Sequence, residues 1–352
     1  SSSRPPSGAN TGGPWKSAMP ERKVPVLPAD LSFSSTAQGS NPSPISTSGG
    51  NIKVCVRIRP RNKREQENGG KDCVDVPTTT QVCVRGREPK SFNYDRAYDT
   101  DSTQEMLMEE LGMELTTNAF DGYNCCLFAY GQTGSGKTFS VLGSEEPPSL
   151  RGLLPRIVDE LFERLFASSP GGADGVESRS CTFTVSYVEI YNDQISDLLA
   201  SRAEKGVKLQ VHVSPQVGAY IQGVKEVPVT TRQEVHGLIK YAARQRSVAA
   251  TCMNDTSSRS HCIFTLEVVQ KLTKAGGAAS TRRSKLNLVD LAGSERQKRT
   301  QSSGARLKEG AAINQSLSNL ALVMNKLAEI SERSAKGSKP KEKDFVPFRN
   351  SK

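Results

Sequence analysis

The feature that most restricts what this chain can fold into is the run Gly131-Gln-Thr-Gly-Ser-Gly-Lys-Thr138. It matches G-x-x-x-x-G-K-[ST], in which glycines let backbone N–H groups face phosphate oxygens at the positive end of a helix. Cys125-Cys-Leu-Phe-Ala-Tyr130, just before it, is a short continuous apolar run, which predicts a strand buried on both faces. A helix is expected to open directly after the loop. The bare pattern also fits a glycine-rich turn with a solvated lysine, but the strand–loop–helix setting favours phosphate binding. In that reading Lys137 reaches the β- and γ-phosphates, and the Thr138 hydroxyl turns to Mg²⁺.

A second segment suits the same chemistry. The apolar stretch Ser284–Leu291 runs into Val289-Asp290-Leu-Ala-Gly293-Ser-Glu295. An acid at the end of a buried strand can hold the water shell of a magnesium ion. The Gly293 N–H can approach a γ-phosphate because no Cβ stands in the way. Asp290 alone would also fit a turn or helix cap. Asn254-Asp-Thr-Ser257-Ser258-Arg259-Ser260-His261 is a polar loop whose hydroxyls suit phosphate and metal-water contacts; without context it is an ordinary serine-rich loop.

The remaining periodicities alternate between strand and helix. Strands are predicted at Ile52–Ile58 (stopped by Pro60), Cys181–Tyr191 and His261–Leu272. Helices are predicted at Ser102–Phe120, Leu153–Phe166, Arg232–Ala250 and Glu309–Ile330, the last with an apolar stripe of Ile313, Leu317, Leu320, Val323, Met324 and Leu327. Glu145–Ser149, with two prolines, is a surface loop, and Leu209–Val229 reads as a hairpin with Gly218 and Gly223 near its turn. The alternation implies an α/β sheet flanked by helices on both faces; taken with the phosphate loop, the expected fold class is that of a P-loop NTPase with a central mixed, mostly parallel sheet.

Composition enters where it locates a partner. The net charge of +10 suggests nucleic acid until it is resolved along the chain. Residues 51–295 hold 30 basic and 30 acidic side chains, whereas residues 296–352 hold 13 and 5. The body is neutral and offers nucleic acid no basic groove; the basic end suits one acidic partner. Residues 1–50 contain 12 Ser, 8 Pro and 6 Gly and read as a disordered leader. Trp15 lies within it. No apolar run is long enough for an integral membrane helix, and the first residues lack the apolar core of a secretory signal. The 8 cysteines form no C-x-x-C pair and read as reduced, packed thiols.

GQTGSGKT, NDTSSRSH and LVDLAGSE, in this order and separation, resemble the phosphate loop and two switches of a kinesin motor domain. Arg57-Ile-Arg59-Pro60 is similar to the family's adenine-contacting R-x-R-P, and Ile313-Asn-Gln-Ser316-Leu317 to its switch II helix. The likeness covers about residues 52–352. Ser247–Thr251, Gly304–Gly310 and the lysine-bearing loop after the last helix resemble the kinesin-three transport class; Gln315 departs from the usual lysine, and the loop lysines are interspersed.

The resemblance implies an ATP and Mg²⁺ site and a role for each matched residue. Arg57, Arg59, Pro60 and Phe139 surround adenine, with the Phe139 ring stacked on it. Gln132, Thr133, Gly134, Ser135, Gly136, Lys137 and Thr138 hold the phosphates; Thr138, Ser257 and Asp290 serve the metal. Ser258 positions the attacking water, Gly293 senses the γ-phosphate, and Arg259 pairs with Glu295, which accepts the proton. Basic residues within 297–344 (Lys298, Arg299, Arg306, Lys308, Lys326, Lys336, Lys339, Lys341 and Lys343) meet the acidic microtubule, and hairpin 209–229 makes a second contact. The expected function is a microtubule-stimulated ATPase and motor head of the cytoplasmic cytoskeleton. A head that binds nucleotide and microtubule without turnover is the alternative, and a basic nucleic-acid-binding ATPase is a weaker rival. The family's domain continues with a further strand and helix, so the domain is expected to be truncated at 352. Cargo and any dimer partner are not indicated.

Overall fold

Two long strands with alternating burial set the centre of the molecule, and the rest is arranged on their two faces. The computed structural model describes residues 52–167, 176–201, 203–204, 206–214, 218–252, 258–274, 277, 279–295, 305–335 and 346–348. The 1–50 leader lies outside the described residues, as do Ser257, Lys298, Arg299 and the lysines of 336–343.

Strand β1 (Cys55–Arg57) pairs in parallel with β5 (Arg96–Tyr98). Between them lies α1 (Lys63–Glu67), opened by a reciprocal capping box between Asn62 and Glu65. An antiparallel meander follows it, made of β2 (Val74–Thr78), β3 (Gln81–Val84) and β4 (Lys90–Asn93). The predicted helix at 102–120 comprises α2 (Gln104–Leu107), a π-turn at Met108–Gly112 and α3 (Met113–Phe120). The Thr103 side chain caps it by accepting the Met106 N–H at 3.1 Å. Strand β6 (Cys125–Ala129) leads through the glycine loop into α4 (Lys137–Val141). Helix α5 (Leu153–Ala167) buries Leu154, Ile157, Val158, Leu161 and Leu165 in one stripe, the spacing of an amphipathic helix.

Next come β7 (Val176–Tyr191) and β8 (Gln194–Asp197), joined by a tight turn in which Asn192 and Asp193 have φ of 48° and 58°. Short polar side chains tolerate that left-handed conformation best after glycine. Strands β9 (Gln210–Ser214) and β10 (Gly218–Gln222) form the expected hairpin, but β11 (Val227–Val229) leaves it to pair with Phe183–Val185 of β7. Helix α6 (Arg232–Cys252), β12 (His261–Lys274), β13 (Ala279–Asp290) and α7 (Ala305–Ala335) complete the order.

The central sheet runs β11-β7-β12-β13-β6, with β8 on the other part of β7. Mixed is the accurate description. Strands β6 and β13 are parallel, because the chain travels through several elements between them; β12 and β13, joined by a short turn, are antiparallel. Alternation separates the faces. Cys262, Phe264, Leu266 and Val268 of β12 join Leu286 and Leu288 of β13 and the stripe of α5 in the main core. Ile263 and Val289, pointing the other way, pack with Leu291, Ala292 and Leu317 of α7. Helices therefore cover both faces, as expected. Strand β6 corrects one expectation: Cys125 is buried, but Phe128 is 42% exposed. Helix α7 packs over β12 and β13, so the far face of β6 is not covered by described residues.

Candidate nucleotide-binding site

The parallel register sets Asp290 opposite Ala129, so the loops at Gly131–Gly136 and Leu291–Glu295 leave the carboxyl ends of adjacent strands together. That edge is where open α/β sheets bind ligands. Backbone bonds join the two loops: Leu291 N–H donates to Ala129 O at 3.2 Å and Ser294 N–H to Gly131 O at 3.1 Å.

Conformation explains the glycines of the first loop. Gly134 and Gly136 have φ of 76° and 96°, which side-chain-bearing residues rarely adopt. Gly136 is the residue from which α4 starts, so Lys137 and Thr138 occupy the first turn of that helix. Lys137 Nζ donates to Gly131 O and Gln132 O, both at 3.0 Å. Burial lowers its pKa, against the pull of Asp290 and Glu295.

Thr138 Oγ1 donates to Asp290 Oδ2 at 2.6 Å. Asp290 is only 5% exposed, and its Oδ1 has no hydrogen-bond partner among the described residues. Burial is the leading cause of its raised pKa, opposed by the Thr138 bond and by Arg246 and Lys137. A buried orphan carboxylate oxygen beside a threonine hydroxyl at a phosphate loop fits a magnesium ion, which prefers hard oxygen donors and keeps several waters.

Gly293 N–H donates to Ser258 O at 2.8 Å, which ties the two expected switches together. A Cβ on Gly293 would lie 2.4 Å from Thr133 Oγ1 and 2.4 Å from Glu295 Oε2. Only glycine lets these groups crowd so closely. The Glu295 carboxylate accepts the Thr133 N–H at 2.8 Å and the Thr133 hydroxyl at 2.5 Å. Burial works to raise its pKa, but the Thr133 bonds and Lys137 hold it below the usual value. Glu295 thus rests on the phosphate loop as a full anion.

On the side expected to meet adenine, both arginines are engaged with the protein. Arg57 is engaged in the wall: it donates to Gln104 Oε1 and Ser140 Oγ at 3.0 Å and to Ser102 O at 2.9 Å. Its guanidinium carbon lies 5.4 Å from the Phe139 ring centroid, and Gln104 Nε2 donates to Phe139 O at 2.7 Å. Arg57 and Gln104 thus both contact Phe139, a residue that is 40% exposed. Arg59 is paired with Glu65 and donates to the Pro60 carbonyl at 2.9 Å; that pairing holds Glu65 at a pKa of about 2. Gln104, 2% exposed inside an apolar helix pattern, carried no sequence signal.

Two further networks escaped the sequence. Ser260 Oγ donates to Glu189 Oε1 at 2.6 Å, and Arg246 Nε reaches the same oxygen at 3.3 Å. His261 Nδ1 accepts the Ala292 N–H at 3.0 Å, while its Nε2 lies 2.9 Å from Ser316 Oγ on α7. Both joins cross long sequence separations, so no local pattern could reveal them. On the expected microtubule side, Arg306, Lys308 and Lys326 belong to α7, where Lys326 pairs with Glu329 at 2.8 Å. The β9–β10 hairpin exposes Val213 at 60% and Tyr220 at 41%.

Comparison with known proteins agrees with this geometry. The family model described as kinesin motor domain matches residues 57–352. The chain is 37% identical over 317 residues to Kinesin-like protein KIF1B of Rattus norvegicus, covering 86% of this chain and 17% of that protein. It is 40% identical over 313 residues to Kinesin-like protein unc-104 of Caenorhabditis elegans, covering 85% and 19%. The chain therefore spans less than a fifth of these curated relatives. The solved structure of a fast kinesin superposes with a TM-score of 0.72 at 36% identity, over 86% of this chain and 79% of that one. With sequence and fold matching along the same stretch, this chain belongs to the kinesin motor domain family.

Proposed function

We propose that this chain is a microtubule-based motor head that couples Mg-ATP hydrolysis to microtubule binding and movement. The observation that carries the reading is the Thr138–Asp290 bond with its orphan Oδ1, set between a glycine loop and Gly293. A structural glycine turn has no use for a buried, half-satisfied carboxylate. A metal-nucleotide site does.

Each residue then has a task. Phe139, held from behind by Arg57 and Gln104, offers its face to adenine. The loop from Gln132 to Gly136 presents N–H groups to the phosphates, and Lys137 exchanges its two carbonyl partners for phosphate oxygens. Thr138 and Asp290, with Ser257, would hold magnesium, which when bound neutralises phosphate charge. Gly293 would release Ser258 O and turn its N–H to the γ-phosphate. Glu295 would leave Thr133, pair with Arg259 and take the proton of the attacking water that Ser258 positions. Because Glu295 rests on Thr133, the base is assembled only on closure, which guards against wasteful turnover.

Gly293 lies at the exit of β13, and Leu291, Ala292 and Leu317 share one apolar cluster. Movement of this loop would therefore be felt by α7. Helix α7 and the basic stretch 297–344 form the surface proposed for the microtubule, with hairpin 209–229 as a second contact. Long-range attraction to an acidic polymer speeds encounter and weakens with salt. The likeness to KIF1B and unc-104 supports placement in the kinesin-three class, and a cytoplasmic, microtubule-associated location follows from the same reading.

The test is nucleotide binding and phosphate release by the full-length protein with and without microtubules. Lys137→Ala should abolish nucleotide binding, and Glu295→Ala should bind ATP without hydrolysing it. Normal turnover in Glu295→Ala overturns the role given to that carboxylate.

A further inference from the structure

His261 opens β12, three residues beyond Ser258, and its imidazole touches two other elements at once. Nδ1 accepts the Ala292 N–H at 3.0 Å, and Nε2 meets Ser316 Oγ at 2.9 Å. Because Nδ1 accepts, the proton of the neutral ring sits on Nε2, which makes the second contact a donation to serine. Burial favours that neutral form by lowering the histidine pKa. Ala292 immediately precedes Gly293, whose own N–H is held by Ser258 O. Ser316 immediately precedes Leu317, which packs on Leu291 and Ala292. A rigid, planar ring thus spans the start of β12, the first turn of the loop after β13, and the inward side of α7.

We propose that His261 is a positioning residue, the joint that transmits movement of the loop at Ala292–Gly293 to α7 and hence to the microtubule surface. The ring has no internal torsion between its nitrogens, so a shift of the Ala292 amide displaces the Ser316 contact in step. The Leu317 cluster supplies adhesion between the same elements, but apolar packing is non-directional and tolerates sliding. The paired hydrogen bonds add a direction. Neither bond involves an atom expected to touch nucleotide, so losing the joint should spare the chemistry and impair its coupling. The proposal rests on the motor reading above.

The experiment compares His261→Asn, Ser316→Ala and their double variant in the full-length protein. Asparagine keeps an acceptor near the Nδ1 position but cannot reach Ser316. Ser316→Ala removes the far partner and leaves the histidine in place. Basal phosphate release and affinity for a fluorescent ADP should remain within about twofold of the parent. Microtubule-stimulated kcat should fall about five- to tenfold in each variant, the effect of one well-placed hydrogen bond. The double variant should fall no further than either single, since both break one contact. Parent-like stimulation in both singles, multiplied losses in the double, or an equal fall in basal and stimulated rates would each overturn the joint. A parent protein that shows no stimulation would instead refute the motor reading.

Discussion

Replacing Asp290 by asparagine should stabilise the nucleotide-free protein while crippling its response to Mg-ATP. Asp290 is 5% exposed, Oδ2 accepts from Thr138 at 2.6 Å, and Oδ1 has no partner among the described residues. Burial outweighs the nearby Lys137 and Arg246 charges, since the carboxyl pKa is raised. A buried polar atom without a partner costs about 1–3 kcal/mol. Asparagine preserves an acceptor for Thr138 and removes the charge that burial disfavours, but its Nδ2 inherits the unpartnered position, so the expected gain is small, at most about 1 kcal/mol. For a domain of this size that is about 2 °C in Tm. Ligand reverses the order. At a hundredfold excess over Kd the parent gains about 2.7 kcal/mol, whereas Asp290→Asn, deprived of its metal-side anion, gains little. Thermal melting with and without Mg-ATP reads both halves. A variant that melts below the parent without nucleotide, or that rises with Mg-ATP as far as the parent, would refute the reasoning.

Two further outcomes rest on other parts of the fold. Glu189→Ala should cost about 3–5 kcal/mol in urea unfolding, the range for breaking a buried pair, because the Arg246 and Glu189 side chains are only 11% and 14% exposed and Ser260 loses its acceptor; a loss below about 1 kcal/mol contradicts the buried-pair assignment. Asp159 sits between His236 at 2.6 Å and Arg151 at 2.8 Å. Burial works to raise its pKa, but these partners hold it below the usual value. A depressed carboxylate contributes stability above its unfolded pKa of about 4 and loses it as pH falls through the folded value. Asp159→Asn should therefore flatten the acid limb of the stability profile, and an unchanged limb counts against this account.

What was legible in the sequence was what the backbone dictates locally. Gly134 and Gly136 need left-handed φ, and Gly293 needs the space that a Cβ would take, so their motifs declare themselves. The larger parts of β7, β12 and β13 showed as strand-like stretches at 181–191, 261–272 and 284–291, rich in β-branched and apolar residues. Legibility failed where partners are distant. Val227–Val229 reads as part of a hairpin because nothing local shows that Phe183–Val185 is its mate. The far face of β6 reads as buried because the run is apolar, yet coverage depends on where α7 packs. Arg57 is expected beside adenine by resemblance, but its bonds to Gln104, Ser102 and Ser140, all more than 40 residues away, and its place over Phe139 have no local signal. His261 lies inside the N-D-T-S-S-R-S-H motif, but its partners Ala292 and Ser316 are 31 and 55 residues away and have no local signal.

The proposed motor function requires that the site at the β6–β13 edge hydrolyse ATP in a manner governed by the microtubule. Steady-state phosphate release by the full-length protein, measured across a microtubule titration beside Lys137→Ala, tests it most directly. The account predicts a low basal rate in the parent, a saturable rise with microtubules that weakens at higher salt, and no turnover in Lys137→Ala. A nucleotide-bound parent whose phosphate release stays flat across the titration would contradict it.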